Sequence, residues 1–197
     1  MYINWARREL NLKIVYYGPP LSGKTTNLVK VYERADPKSR GELISLATEE
    51  DRTLYFDFLR VNLRKVNGLT PRIHLYTVPG QAYYEASRKM VLRGADGVVF
   101  VADSASERVD ENVESWHNMR SHLSSFPQPA GGLPIVVQFN KQDLPNALPG
   151  TTLRYILQLN GCPGIEAVAL EGHGVFDTLK TILHEVMSRV QEETGQA

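Results

Sequence analysis

The chain has 197 residues, with 22 Lys and Arg against 22 Asp and Glu, and so carries no formal net charge. That balance gives no global field to hold nucleic acid or an anionic membrane, and the length suits one domain, residues 1–197, with a sizeable core. A hydrophobic fraction of 42% fits a globular chain, and the single Cys162 excludes an internal disulfide framework and fits a reducing compartment. The start, "MYINWARREL", holds no apolar run of signal-peptide or membrane-span length. Residue 2 is Tyr2 rather than glycine, and the ending "ETGQA" has no prenylatable cysteine. The expectation is a cytoplasmic chain without a direct membrane anchor or a nucleic-acid partner, recruited to any cell pole by other proteins.

In chain order, "LKIVYYG" (12–18) is an apolar, β-branched and aromatic run stopping at glycine, as a buried strand does. The next stretch, "GKTTNLVKVYERA", sets Leu28, Val31 and Tyr32 at helical spacing. "RTLYFDFL" (52–59) and "PRIHLYTV" (71–78) alternate as an antiparallel pair. "GVVFVADS" (97–104) and "LPIVVQFNK" (133–141) read as central parallel strands, and "GIEAVAL" (164–170) as a last strand. Helices are predicted over 106–126 (Val109, Val113, Trp116, Met119, Leu123 and Phe126 on one stripe), over 151–160 with Thr151 as N-cap, and over 174–193. Strand–helix alternation of this kind predicts an α/β fold, a mainly parallel sheet with helices on both faces, whose ligands sit at the strands' carboxyl ends.

Two motifs fall at such ends. "GPPLSGKT", Gly18 to Thr25, matches G-x-x-x-x-G-K-[ST] between a strand and a helix. Amides from Leu21, Ser22, Gly23, Lys24 and Thr25 can converge on phosphates at the helix N-terminus, with Thr26 next in line. The Lys24 ammonium reaches the β- and γ-phosphates, and the Thr25 hydroxyl can bind Mg²⁺. "NKQD", Asn140 to Asp143, follows the strand at 133–139. The Asp143 carboxylate can accept from guanine N1–H and the 2-amino group, whereas adenine would set a lone pair against it. The Lys141 stem can cover the purine face, and Asn140 tethers the loop.

GPPLSGKT, Thr53, PGQ at 79–81, NKQD and "EAVALEG" at 166–172, in that order, resemble the Ras-like small GTPases over nearly the whole chain. More narrowly, "SGKTTNL", "SLATEEDRTLYFDFL", "LYTVPGQ" and "SRKMVLRGADGVVFVADS" are similar to the MglA-type branch, the bacterial polarity and gliding-motility GTPases. The resemblance implies a P-loop NTPase with a Ras-like mixed, mostly parallel sheet, hydrolysing GTP slowly to GDP with Mg²⁺. It also implies a two-state switch, an MglB-like activating partner (a Roadblock-type homodimer) and further effectors. By the same resemblance Thr53 closes on Mg²⁺ and the γ-phosphate, the Gly80 N–H senses that phosphate, Gln81 orients the attacking water and Arg52 supplies charge in cis. The Ala169 N–H reads guanine O6.

Two residues depart from the family pattern. Thr77 stands where an aspartate usually holds a metal-bound water, and Pro20 where glycine is usual. Asp57 either compensates for Thr77, if its strand shifts in register, or is a surface carboxylate on an edge strand. Arg52 is either catalytic or solvated, and Tyr83 and Tyr84 are either exposed anchors or packed on the sheet. Trp5, Trp116, Met119 and His117 read as core or helix-face residues, and His173 as a polar loop residue. A nucleotide-bound scaffold without hydrolysis and a P-loop metabolite kinase are the alternatives.

Overall fold

A computed structural model describes residues 1–47, 53–63, 65, 68–81, 84–127, 129 and 132–195. Its strands, among these residues, are β1 (Tyr2–Asn4), β2 (Glu9–Tyr17), β3 (Ile44–Ala47), β4 (Thr53–Asn62), β5 (Thr70–Thr77), β6 (Gly97–Asp103), β7 (Ile135–Asn140) and β8 (Gly164–Ala167). The helices are α1 (Lys24–Arg34), α2 (Glu85–Leu92), α3 (Val109–Ser124), α4 (Gly150–Ile156) and α5 (Val175–Gly195). The strands form one sheet in the order β3-β4-β5-β2-β6-β7-β8, with β1 paired to the start of β2. β2, β5, β6, β7 and β8 run parallel, while β4 is antiparallel to β5 as the alternation predicts.

Period-two alternation in β2 sorts the core into two layers. Leu10, Leu12, Ile14 and Tyr16 face α1 and α5, meeting Leu28, Val31, Leu179, Ile182 and Val186. Val15 and Tyr17 face the other way, packing with Trp116, Met119, Leu123 and Leu153 of α3 and α4. Because the central strands are parallel, Gly18, Thr77, Asp103, Asn140 and Ala167 all arrive at one edge of the sheet.

Several expectations need correcting. β1, β3 and α2 are short elements that the hydrophobic pattern does not announce. Helix α4 starts from Pro149, not from a Thr151 cap, and stops at Ile156 rather than residue 160 because Gln158 turns left-handed at φ 51. The last strand ends at Ala167, and Ala169–Glu171 is a 3₁₀ turn. Trp5 is 73% exposed, in the turn after β1, while Trp116 and Met119 are core and His117 is on the exposed face of α3.

Candidate functional site

Gly18 follows the last residue of β2, and the chain then leads into the N-terminus of α1 at Lys24. Gly23 holds φ 101, and a Cβ there would collide with the Asn140 side-chain amide, so only glycine fits. Ser22 and Lys24 are buried, Thr25 and Thr26 half-buried, and Leu21 is exposed with φ 60. Lys24 Nζ donates to the carbonyls of Gly18 at 3.0 Å and Pro19 at 2.7 Å. Burial pushes the Lys24 ammonium down to about 7; the charge on Asp57 opposes this, and Arg88 and Arg108 add to it. A cavity of about 570 Å³ opens here, lined by Leu21, Gly23, Lys24, Thr25, Gly80 and Gln81 among others.

Beside this loop the end of β7 builds a second one. Asn140 is buried, and its Nδ2 donates to the Ser22 carbonyl at 2.8 Å while its Oδ1 accepts from the Ala169 amide at 2.8 Å. One side chain thus ties the phosphate loop to the loop after β8. The amide expected to read guanine O6, that of Ala169, is the donor in this contact. Lys141 takes φ 67, and its Nζ meets Asp103 Oδ2 at 2.6 Å. Gln142 anchors the turn to Ser104 Oγ at 2.8 Å and to the Ala167 carbonyl through its amide at 3.1 Å. Asp143 is exposed, with no hydrogen bond to its carboxylate among the described residues.

The third part lies on β4 and β5. Asp57 is wholly buried, directly across from Thr77. Its Oδ2 accepts from Thr25 Oγ1 at 2.6 Å and Thr77 Oγ1 at 2.7 Å, its Oδ1 from Ser45 Oγ at 2.5 Å, and its own N–H donates to Thr77 Oγ1 at 2.8 Å. The surface-carboxylate reading of Asp57 is therefore wrong, and the observed register already places it at the site. Two hydroxyls and one carboxylate around Thr25 make an all-oxygen set, which suits a hard cation such as Mg²⁺. Among the described residues, no group of three or more His, Cys, Asp or Glu could hold a metal.

Gly80 lies against the phosphate loop, where an added Cβ would stand 2.6 Å from Pro20 Cα and 3.0 Å from Lys24 Nζ. Gln81 is half-buried; its Oε1 has no hydrogen-bond partner among the described residues, and its carbonyl accepts from Arg88 of α2. Thr53 opens β4 opposite Ala47, Tyr84 is half-buried, and Arg52 and Tyr83 lie outside the described residues. Sequence reasoning missed Asp103, Arg108 and Arg88. A carboxylate ending an apolar strand, as in "VFVAD", was the available signal for Asp103.

A family model, the ADP-ribosylation factor family, matches residues 3–194. The chain is also 50% identical over 191 residues to the mutual gliding-motility protein MglA of Myxococcus xanthus (strain DK1622), covering 97% of this chain and 98% of that protein.

Proposed function

Because the chain belongs to the ADP-ribosylation factor family of Ras-like small GTPases, we propose that it is the polarity or gliding-motility switch of its cell. GTP is bound and hydrolysed to GDP and phosphate, and in our reading an MglB-like Roadblock-type partner accelerates the second step. The likeness to a protein named for gliding motility supports this process. No helix among the described residues is long and apolar enough to cross a membrane. We place the switch in the cytoplasm, as one domain over residues 1–197, recruited to a pole by partners and signalling to effectors.

One observation carries the site assignment: Asn140 joins the loop around Lys24 to the loops flanking Asp143 and Ala169. Asp143 then reads the guanine N1–H and 2-amino group, the Lys141 stem covers the ring, and the amides from Leu21 to Thr25 with Thr26 receive the phosphates. The O6 contact passes from Ala169 to a neighbouring amide, with Leu170 next in the turn. Thr25 and Thr53 would hold Mg²⁺, with Asp57 and Thr77 behind Thr25. The metal supplies neutralisation of phosphate charge when bound. Lys24 carries the rest of that charge, Gly80 sets the register of the switch against the phosphate loop, and Gln81 orients water with its unengaged Oε1.

In this reading Asp57 supplies, across the strand pair, the carboxylate missing at Thr77, which answers one of the two departures behind the scaffold alternative; Pro20 is the other. Arg52 is the remaining charge donor in the proposal; such an arginine raises hydrolysis by roughly 10³–10⁵. The experiment is phosphate release from GTP by wild type and Arg52→Ala, with and without a Roadblock-type homodimer. The expected result is strong stimulation of wild type and little of the variant, at unchanged GTP affinity. No stimulation of wild type overturns the partner assignment, and equal stimulation removes Arg52.

A further inference from the structure

The 3₁₀ turn Ser106–Arg108, between β6 and α3, delivers an arginine to the phosphate loop that neither sequence motif contains. Arg108 Nη2 donates to the Pro20 carbonyl at 2.7 Å, its Nη1 donates to Glu111, and its Nε stands 3.7 Å from Asp103 Oδ2. The same Oδ2 takes Lys141 Nζ at 2.6 Å. Asp103 is 1% exposed and itself fixed: its Oδ1 accepts from the Ala105 amide at 3.1 Å, and its backbone exchanges two hydrogen bonds with Asn112. One immobile carboxylate oxygen is thus shared by the base-covering lysine and by the arginine that grips the phosphate loop.

Pro20 is where that grip matters. Its ring gives the loop no amide to donate, so its carbonyl is the group by which the backbone can be held. Its Cα is also the atom against which Gly80 rests, at a separation where even a methyl group would not fit. A displacement of Pro20 therefore moves the surface on which the switch glycine, next in the chain to Gln81, is seated. Arg108 also faces the Lys24 ammonium closely enough to lower its proton affinity.

We propose that Arg108 is a positioning residue for GTP hydrolysis, fixing Pro20 so that Gly80 seats correctly, and coupling phosphate loop and base loop through Asp103. The proposal rests on the GTPase reading above. Misplacement of a reacting group by about 1 Å can cost up to about 10²-fold in rate, so a loosened Pro20 is expected to act mainly on turnover.

The test compares wild type, Arg108→Ala, Arg108→Gln and Arg108→Lys in three measurements: release of a fluorescent GDP analogue, single-turnover GTP hydrolysis, and GTP-over-ATP preference. For Arg108→Ala we expect hydrolysis slower by about tenfold or more and GDP release several-fold faster, with guanine preference unchanged because Asp143 is untouched. Arg108→Lys, which keeps a donor for the Pro20 carbonyl, should recover most of the loss, and Arg108→Gln only part. Both rates within twofold of wild type in Arg108→Ala, or a lowered melting midpoint with both rates unchanged, would overturn the proposal. Should Arg108→Ala fail to fold, Arg108→Gln with wild-type rates does the same. A wild type that retains no GDP analogue would instead overturn the nucleotide site itself.

Discussion

The proposed base end and the proposed metal end of this site are built differently. At the base end, backbone groups are locked by side chains: buried Asn140 spans Ser22 and Ala169, and half-buried Gln142 pins its own turn. Beneath it, Gln138 joins Asn27 and Thr178 in an amide–hydroxyl network with every bond between 2.7 and 2.9 Å, and both of these also donate to backbone carbonyls, of Gly23 and Gly174. At the metal end the groups that would face a cation hydrogen-bond one another, with Ser45, Thr25 and Thr77 all donating to Asp57. The first arrangement suits the proposed reading of a base, which needs a template of fixed, matched partners. The second can rearrange, since hydroxyls rotate and exchange partners easily, which suits the side of the molecule that must change between GTP and GDP states.

The largest test of this contrast is Asp143→Asn. The amide sets a donor toward the guanine 2-amino group, so guanine selectivity should fall by as much as 10⁴, checked by competition between GTP and xanthosine triphosphate. Melting should barely change, because Asp143 is exposed and makes no internal bond among the described residues. Next comes Gly80→Ala. Its methyl must displace Pro20 or move the switch away, so hydrolysis should drop by about 10²-fold with GDP affinity much less affected, measured by single turnover and equilibrium binding. Gln138→Leu should behave in the opposite way. It leaves the Asn27 side-chain carbonyl without its donor in the core at about 1–3 kcal/mol, while Asn27 Nδ2 keeps Gly23 and Thr178 keeps Gly174; the denaturant midpoint should fall while the ratio of GTP to ATP binding stays put.

How far the sequence revealed this depends on the kind of constraint. The central strands and long helices were legible because burial on both faces of a parallel sheet leaves continuous apolar runs. The motifs of the proposed phosphate and base loops were legible because such chemistry demands fixed residues at fixed spacing. Elements held by tertiary contact were not. β3 has only four residues and α2 only eight, too few to show a period. The hydrogen bond of the Ala169 amide was not legible because its partner lies 29 residues away, on β7. Asp57 could have been read correctly. It alternates with Leu59 and Val61, both buried, so position 57 points inward on β4, and an inward carboxylate needs partners. What the alternation could not show is that Thr77 would be opposite.

The smallest expected effect is the most discriminating one for the metal end. Asp57→Asn keeps the shape of the cluster around Thr25 but removes its charge. The Mg²⁺ concentration needed to retain GDP should rise by about tenfold, about 1.4 kcal/mol, as read from nucleotide release across a Mg²⁺ titration. An asparagine can still accept from Thr25 or Thr77, so melting should change little. Because Asp57 and Thr77 face each other across β4 and β5, the double change Asp57→Asn with Thr77→Asp returns one negative charge to nearly the same place. Recovery of the Mg²⁺ requirement in the double variant would show that the site needs the charge and not the strand that carries it. If the single variant already matches wild type, the Thr25–Asp57–Thr77 cluster is a structural hydrogen-bond knot, and the metal end is held by Thr25 and Thr53 alone.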